Sequence, residues 1–193
     1  MKNIPEILSR KIAYECPIFK VEERRVVLKN SDAKGKGKKN VESTFWVVVR
    51  PPNVTIVALT KDKRIVLIKE MLKGKECIVL PGGKVEKYDV SEKEIREQAL
   101  KELREETGFS ARRIGFLHKE DSPWNTLDRE FYCFLAWDLE DVGQQLEEGE
   151  IISRYLVSIQ EAEKIINRRE MTSPKEERNL IKALSMFRKK KLI

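Results

Sequence analysis

Residues 99–109, ALKELREETGF, put Glu102, Glu105 and Glu106 in the last two turns of a helical pattern that Gly108 ends. The helix macrodipole is negative at that end, so each acid there is unfavourable by roughly 0.3–1 kcal/mol. Glu102 and Glu106 also stand i,i+4, where like charges repel by a few tenths of a kcal/mol more. At about 100° per residue the three carboxylates fall within an arc of about 100° at the edge of the apolar stripe. That stripe, Ile95, Ala99 and Leu103 with Leu100 beside it, predicts a helix from about Ser91 to Thr107 packed on a core. Lys101 can pair with Glu105, and a fully solvated acidic face is the bland alternative. A divalent cation between Glu102 and Glu106 would turn their repulsion into ligation.

Immediately upstream, CIVL (77–80) reads as a short buried strand stopped by Pro81-Gly82-Gly83. Two glycines after a strand allow a close backbone approach and leave a carbonyl able to face the helix end. The rest of the chain supplies more strands: IAYECPIFKV and RRVVLK near the N-terminus, TFWVVV (44–49), and VTIVALT and RIVLIKE as a hairpin about the turn KDK. RRIGFLHK (112–119), REFYCFLAWD (129–138) and IISRYLV (151–157) follow, the second apolar on both faces as a central strand should be. Two helices, near 158–168 and 173–190, close the chain. Hairpins and crossovers mixed in this way predict a sheet between helices, an α/β class. Gly108 fits a left-handed helix stop, with Phe109 folding back onto Leu103.

Composition limits the chemistry. The 193 residues carry one histidine, His118, and three scattered cysteines, so a His-rich metal site and most Ser-His-Asp chemistry are excluded. Any metal should be hard and oxygen-liganded, Mg²⁺, Mn²⁺ or Ca²⁺. Three unpaired-looking cysteines suit a reducing, cytoplasmic setting, and no apolar run is long enough for a membrane span. The net charge of +7 is concentrated in KGKGKK (34–39) and FRKKK (187–191). We read these as a solvated loop and tail; the alternative is a polyanion such as nucleic acid, against which stands the lack of interleaved aromatics.

Taken together, LPGGKVE, a helix and KELREETGF resemble the Nudix box, G-x5-E-x7-R-E-U-x-E-E-x-G-U with U apolar. Gly83, Glu102, Leu103, Glu105, Glu106, Gly108 and Phe109 match it. Two positions depart. The arginine is Lys101, which keeps the charge and loses the planar fork. Four residues are inserted before it, so the first glutamate of the pattern is Asp89, Glu92 or Glu94, or is missing.

The resemblance implies a Nudix-type α/β/α sandwich with a mixed β-sheet over 43–193, plus an N-terminal β arm with its Lys/Gly loop over 1–42. It implies Mg²⁺ (or Mn²⁺) held by Glu102 and Glu106, with Glu105 assisting as ligand or catalyst and the Gly82 carbonyl completing the shell. A later acid often serves as base, for which Glu150 and then Glu148 are the candidates. Arg50, Arg64 and Lys84 are candidate phosphate contacts. Pro123, fourteen residues past Phe109, is similar to the ADP-ribose and nucleotide-sugar branch, although Trp124 replaces the glycine that usually follows. In that branch an arm of strands pairs across a homodimer and helps to hold the base, with Phe45, Trp46 or Trp124 stacking on it. Core packing is the favoured role for Trp46.

The implied activity is hydrolysis of a diphosphate linkage in a nucleoside diphosphate derivative, ADP-ribose or another nucleotide sugar. The alternatives are dinucleoside polyphosphates, RNA 5′ ends, or a Nudix domain that binds nucleotide or RNA without cleaving it.

Overall fold

The computed structural model describes residues 6–29, 40–122 and 126–193, with the side chains of Leu28 and Lys29 left aside. Two compact units divide the chain: residues 1–51 with 121–130, and residues 52–120 with 131–193.

The first unit is a sheet in the order β1-β2-β3-β8, built from β1 (Glu6–Glu15), β2 (Lys20–Lys29), β3 (Asn40–Val49) and the two-residue β8 (Leu127–Asp128). β1 and β2 pair antiparallel, as do β2 and β3, while β8 runs parallel to β3. IAYECPIFKV is therefore not one strand. The chain turns at Cys16-Pro17, where proline has no N–H to give to a ladder, and the Cys16 N–H bonds the Phe19 carbonyl to close the turn.

The second unit holds a mixed sheet in the order β10-β5-β4-β9-β7, with β6 on β5. Its strands are β4 (Asn53–Leu59), β5 (Arg64–Leu72), β6 (Lys75–Val79), β7 (Phe109–Asp121), β9 (Glu130–Asp141) and β10 (Ile152–Ser158). β4 lies parallel to β9 and antiparallel to β5, the expected hairpin. Alternation along the two central strands divides the core. Val57 and Leu59 of β4 and Cys133 and Leu135 of β9 face one side, with Ala162 and Ile165 of α2 (Ile159–Asn167) and Leu180, Ala183, Leu184 and Phe187 of α3 (Pro174–Lys189). Val54, Ile56 and Ala58, with Phe134 and Ala136, face the other, where α1 (Glu92–Thr107) packs Ile95, Ala99 and Leu103. Helices on both faces of a mixed sheet make the expected α/β/α sandwich. None of the described helices is long and apolar enough to cross a membrane.

FRKKK closes α3 and is not a free tail, and its four cations are solvent-exposed as expected. Phe187 is fully buried, Arg188 pairs with Glu163, and the Lys190 ammonium lies 5.4 Å from the centroid of the Trp137 ring. These cations also sit where the helix dipole favours them. The Lys/Gly run at 34–39 lies outside the described residues.

Candidate active site

α1 begins at a capping box. Ser91 Oγ accepts from the Glu94 N–H, and the Glu94 carboxylate accepts from the Ser91 N–H at 2.9 Å. Those bonds, with the Ser91 hydroxyl and Lys87, hold the Glu94 carboxyl down at about 2. Of the three acids offered for the first glutamate of the box, Glu94 is thus engaged in starting the helix.

The other end of α1 carries the acids. Gly108 adopts φ 71°, and its N–H closes on the Arg104 carbonyl. The carbonyls that a helix end leaves open are taken by the segment after β9. The Gln145 N–H donates to the Glu105 carbonyl at 3.0 Å, and the Gln144 side chain donates to the Glu106 carbonyl. That segment then runs through Glu147 and Glu150 into β10, whose Ile152 pairs with Glu70 of β5. Helix, segment and strand thereby converge on one cleft of about 220 Å³, lined by Glu70, Glu86, Glu102, Glu105, Glu106, Glu147 and Glu150, with Gly82, Gly83, Lys84, Gln98 and Lys101.

The glycine turn fits tightly between β4 and α1. The Ile56 and Val54 N–H groups donate to the Pro81 and Gly83 carbonyls at 2.8 and 2.9 Å, while the Gly82 N–H turns to Glu106 Oε2 at 2.7 Å. A Cβ on Gly82 would lie 2.2 Å from the Val54 carbonyl oxygen, and one on Gly83 2.2 Å from Glu102 Oε1. No other residue fits at either position without displacement.

Electrostatics mark Glu106. Burial pushes its carboxyl up to about 9 against the Gly82 hydrogen bond, and Glu102, Glu70 and Glu150 push the same way. Glu102 is raised by burial, which outweighs the bond from Gln98 Nε2 at 2.8 Å, and Glu105 adds to it. Glu70 is raised by burial and by Glu150. Lys101 sits 3.4 Å from both Glu105 and Glu147, so it spans from helix to loop; those acids raise its pKa over the opposing effect of burial.

As the side chains lie, no three His, Cys, Asp or Glu among the described residues converge as a ready ligand set. Glu102, Glu105 and Glu106 line the cleft turned to Gln98, Lys101 and Gly82 respectively, as mutually repelling carboxylates would be. The donor set still suits a hard divalent cation: oxygen donors only, with Glu106 buried and Glu102 half-buried among them, and a carboxyl at Glu106 that burial keeps protonated.

Of the remaining sequence candidates, Lys84 and Glu150 line the cleft, whereas exposed Glu148 is not brought to it and Glu147 is. Arg64 pairs with Asp62 at the opposite end of β5 from Glu70, about 20 Å along the strand. Trp46 and Arg50 belong to the first unit. Trp46 is 55% exposed, so it is not a core residue. Arg50 Nε is buried without a hydrogen-bond partner among the described residues, and its charge, after burial, helps to push Arg129 down to about 10. Pro123 and Trp124 lie outside the described residues. Sequence reasoning missed Glu70, Glu86 and Glu147. Glu70 does break the apolar run of RIVLIKE, a weak signal, while Glu147 had none beyond its acidic neighbours.

A glycine turn and a glutamate-rich helix end on an α/β/α sandwich define a class of phosphoanhydride hydrolase. Residues 49–180 match the family model described as the NUDIX domain, which covers more than half of the chain, and the chain belongs to the Nudix family of hydrolases. It is 29% identical over 133 residues to the ADP-ribose pyrophosphatase of Bacillus subtilis (strain 168), spanning 67% of this chain and 70% of that one. It is 27% identical over 120 residues to the methanol dehydrogenase activator of Bacillus methanolicus, spanning 60% and 63%. A solved structure described as an ADP compounds hydrolase shares the fold with a TM-score of 0.74 at 19% identity, over 96% of this chain and 95% of that one.

Proposed function

We propose that the protein is a Mg²⁺-dependent hydrolase of the diphosphate linkage in a nucleoside diphosphate derivative, with ADP-ribose as substrate. The observation that carries this reading is the pair of half-buried Glu102 and buried Glu106 facing the glycine turn in a cleft lined by seven carboxylates. The name of the Bacillus subtilis relative supports the choice of ADP-ribose.

Glu102 and Glu106 would hold the cation, with Glu105 and the Gly82 carbonyl beside them and Glu70 a further oxygen donor. When bound, Mg²⁺ supplies the positive charge that lets a diphosphate enter an acidic cleft and polarises its phosphoryl oxygens. The chain's own groups do the rest. The Gly82–Gly83 turn fixes Glu106 and Glu102, Lys84 meets phosphate, and Glu150 takes the proton from the attacking water at a carboxylate oxygen. Water oxygen bonds to phosphorus, the bridging P–O bond breaks, and two monophosphates leave. Positioning and charge dominate such a step.

The first unit fits a homodimer arm over residues 1–42. Ile7, Leu8, Ile12 and Tyr14 of β1 are all exposed, which a second copy would bury. Arg50 and Trp46 in the same unit are the proposed contacts for phosphate and base. Cys16, Cys77 and Cys133 are free thiols, in keeping with a cytoplasmic protein.

The test is release of AMP and ribose 5-phosphate from ADP-ribose, dependent on Mg²⁺. A Glu106→Gln variant with undiminished turnover at saturating Mg²⁺ would overturn the assignment of the site.

A further inference from the structure

The second unit holds a cavity larger than the acidic cleft. It measures about 510 Å³ and shares no lining residue with that cleft. α1 packs chiefly over β4, β10 and β5, and beside its first turns the β9–β7 part of that sheet face is left as a groove. Arg96, on the groove, and Glu106, in the cleft, stand about 15 Å apart along the helix.

Flat rings line the groove. Phe134, buried in the core, meets Phe116 edge-on with centroids 5.9 Å apart at 70°. Phe116 is 60% exposed, although leaving a phenyl ring in water forgoes burial that would stabilise the fold. Tyr132 adds a third ring, with the Lys119 ammonium 5.3 Å from its centroid. Cations stand around the rings. Arg96 is oriented by a bond from its guanidinium to the Ile114 carbonyl at 3.1 Å, and Lys93 joins Arg96 and Lys119 against a single lining acid, Glu92.

Rings that offer stacking and cations that offer phosphate contacts are the two components of nucleotide recognition, and this groove has both. The volume lies in the range of small-molecule sites. We propose that this groove is a second nucleotide site, separate from the hydrolytic cleft, that takes one nucleotide with its base against Phe116 and its phosphate toward Arg96, Lys93 and Lys119. An acidic or purely apolar ligand would satisfy only half of it.

The experiment is a titration of AMP into the full chain, stripped of divalent cation with EDTA, followed by backbone amide NMR shifts. Saturable shifts at residues 93–96, 116–119 and 132–134 are expected. They should weaken about tenfold or more in a Phe116→Ser/Lys119→Glu double variant, with thermal melting confirming that it folds. Shifts confined to residues 82–86 and 102–106, or none, would overturn the proposal on the wild-type protein alone. So would shifts left unchanged by the double variant, or a response to penta-adenylate and not to AMP. Sedimentation equilibrium supplies the last arm: a double variant that loses mass and keeps its AMP response would make the groove a seam between copies instead.

Discussion

A Cβ placed on Gly83 would lie 2.2 Å from Glu102 Oε1, so the turn and the helix end touch through a carboxylate. The clash is with the far end of a flexible side chain and not with backbone. Gly83→Ala should therefore fold with little change in melting temperature while Glu102 swings aside. Displacement of a site group by about 1 Å costs about 10²-fold in rate, and a loss of that order in kcat/KM for ADP-ribose is expected. A variant that melted early and kept its activity would point to packing alone.

Glu106 makes stability depend on pH. In the folded chain its carboxyl gives up its proton at about 9, against an ordinary value of 4.5. Between those values the folded state holds the extra proton, so its stability falls as pH rises; below 4.5 both states are protonated and nothing is lost. Glu176, which burial raises to about 7, adds to the same slope. Comparison with Glu106→Gln isolates the first effect. Urea midpoints in EDTA should fall from pH 5 to pH 9 more steeply in the wild type than in the variant, and added Mg²⁺ should flatten the wild-type curve.

Lys101 ties α1 to the loop through Glu105 and Glu147, each at 3.4 Å. These partly exposed pairs contribute about 1 kcal/mol or less to stability. Lys101→Met should accordingly leave the melting temperature nearly unchanged while loosening the loop that carries Glu150, with kcat down about tenfold. Lys101→Arg restores both pairs and should restore the rate. Equal losses in Met and Arg variants would show that the ammonium itself is needed.

Ser91 tests the start of the helix. Ser91→Ala removes the side-chain half of the capping box and should cost about 1 kcal/mol, read as a lower urea midpoint. Activity at a temperature where the variant stays folded should be unaffected, because the cap is at the far end of α1 from Glu106. A large loss of kcat without loss of stability would mean that the inserted stretch before the helix takes part in the reaction.

How much of this was legible depends on the range over which residues act. Glu102, Glu105 and Glu106 lie within one helix, so spacing alone grouped them. The central strands were legible because Val54, Ile56 and Ala58 on one face and Val57 and Leu59 on the other are all apolar. Glu70 was not, since it reaches the cleft only through the register of β5 against β10. Nor was Glu147, which depends on Gln144 and Gln145 capping the carbonyls of α1. The phenyl ring of Phe116 looked like any apolar strand residue until the packing of α1 left it bare. β8, two residues long, exists only because β3 is there to pair with it.

The same long-range geometry bears on the proposed base, Glu150. Glu150 enters the cleft from the loop before β10, and its charge acts on Glu70, Glu102 and Glu106 together. Its carboxylate Oε2 accepts the Glu147 N–H at 2.9 Å, which fixes its orientation. Glu148, two residues earlier, is exposed and lines no part of the cleft. A base positioned on the water's proton contributes about 10²–10⁴-fold, so Glu150→Gln should lower kcat by that order. Glu148→Gln should leave kcat unchanged. If Glu70→Gln instead lowered kcat by that order while Glu150→Gln left it unchanged, the proton would pass to β5, and Glu150 would be left with the task of repelling Glu106 into its protonated state.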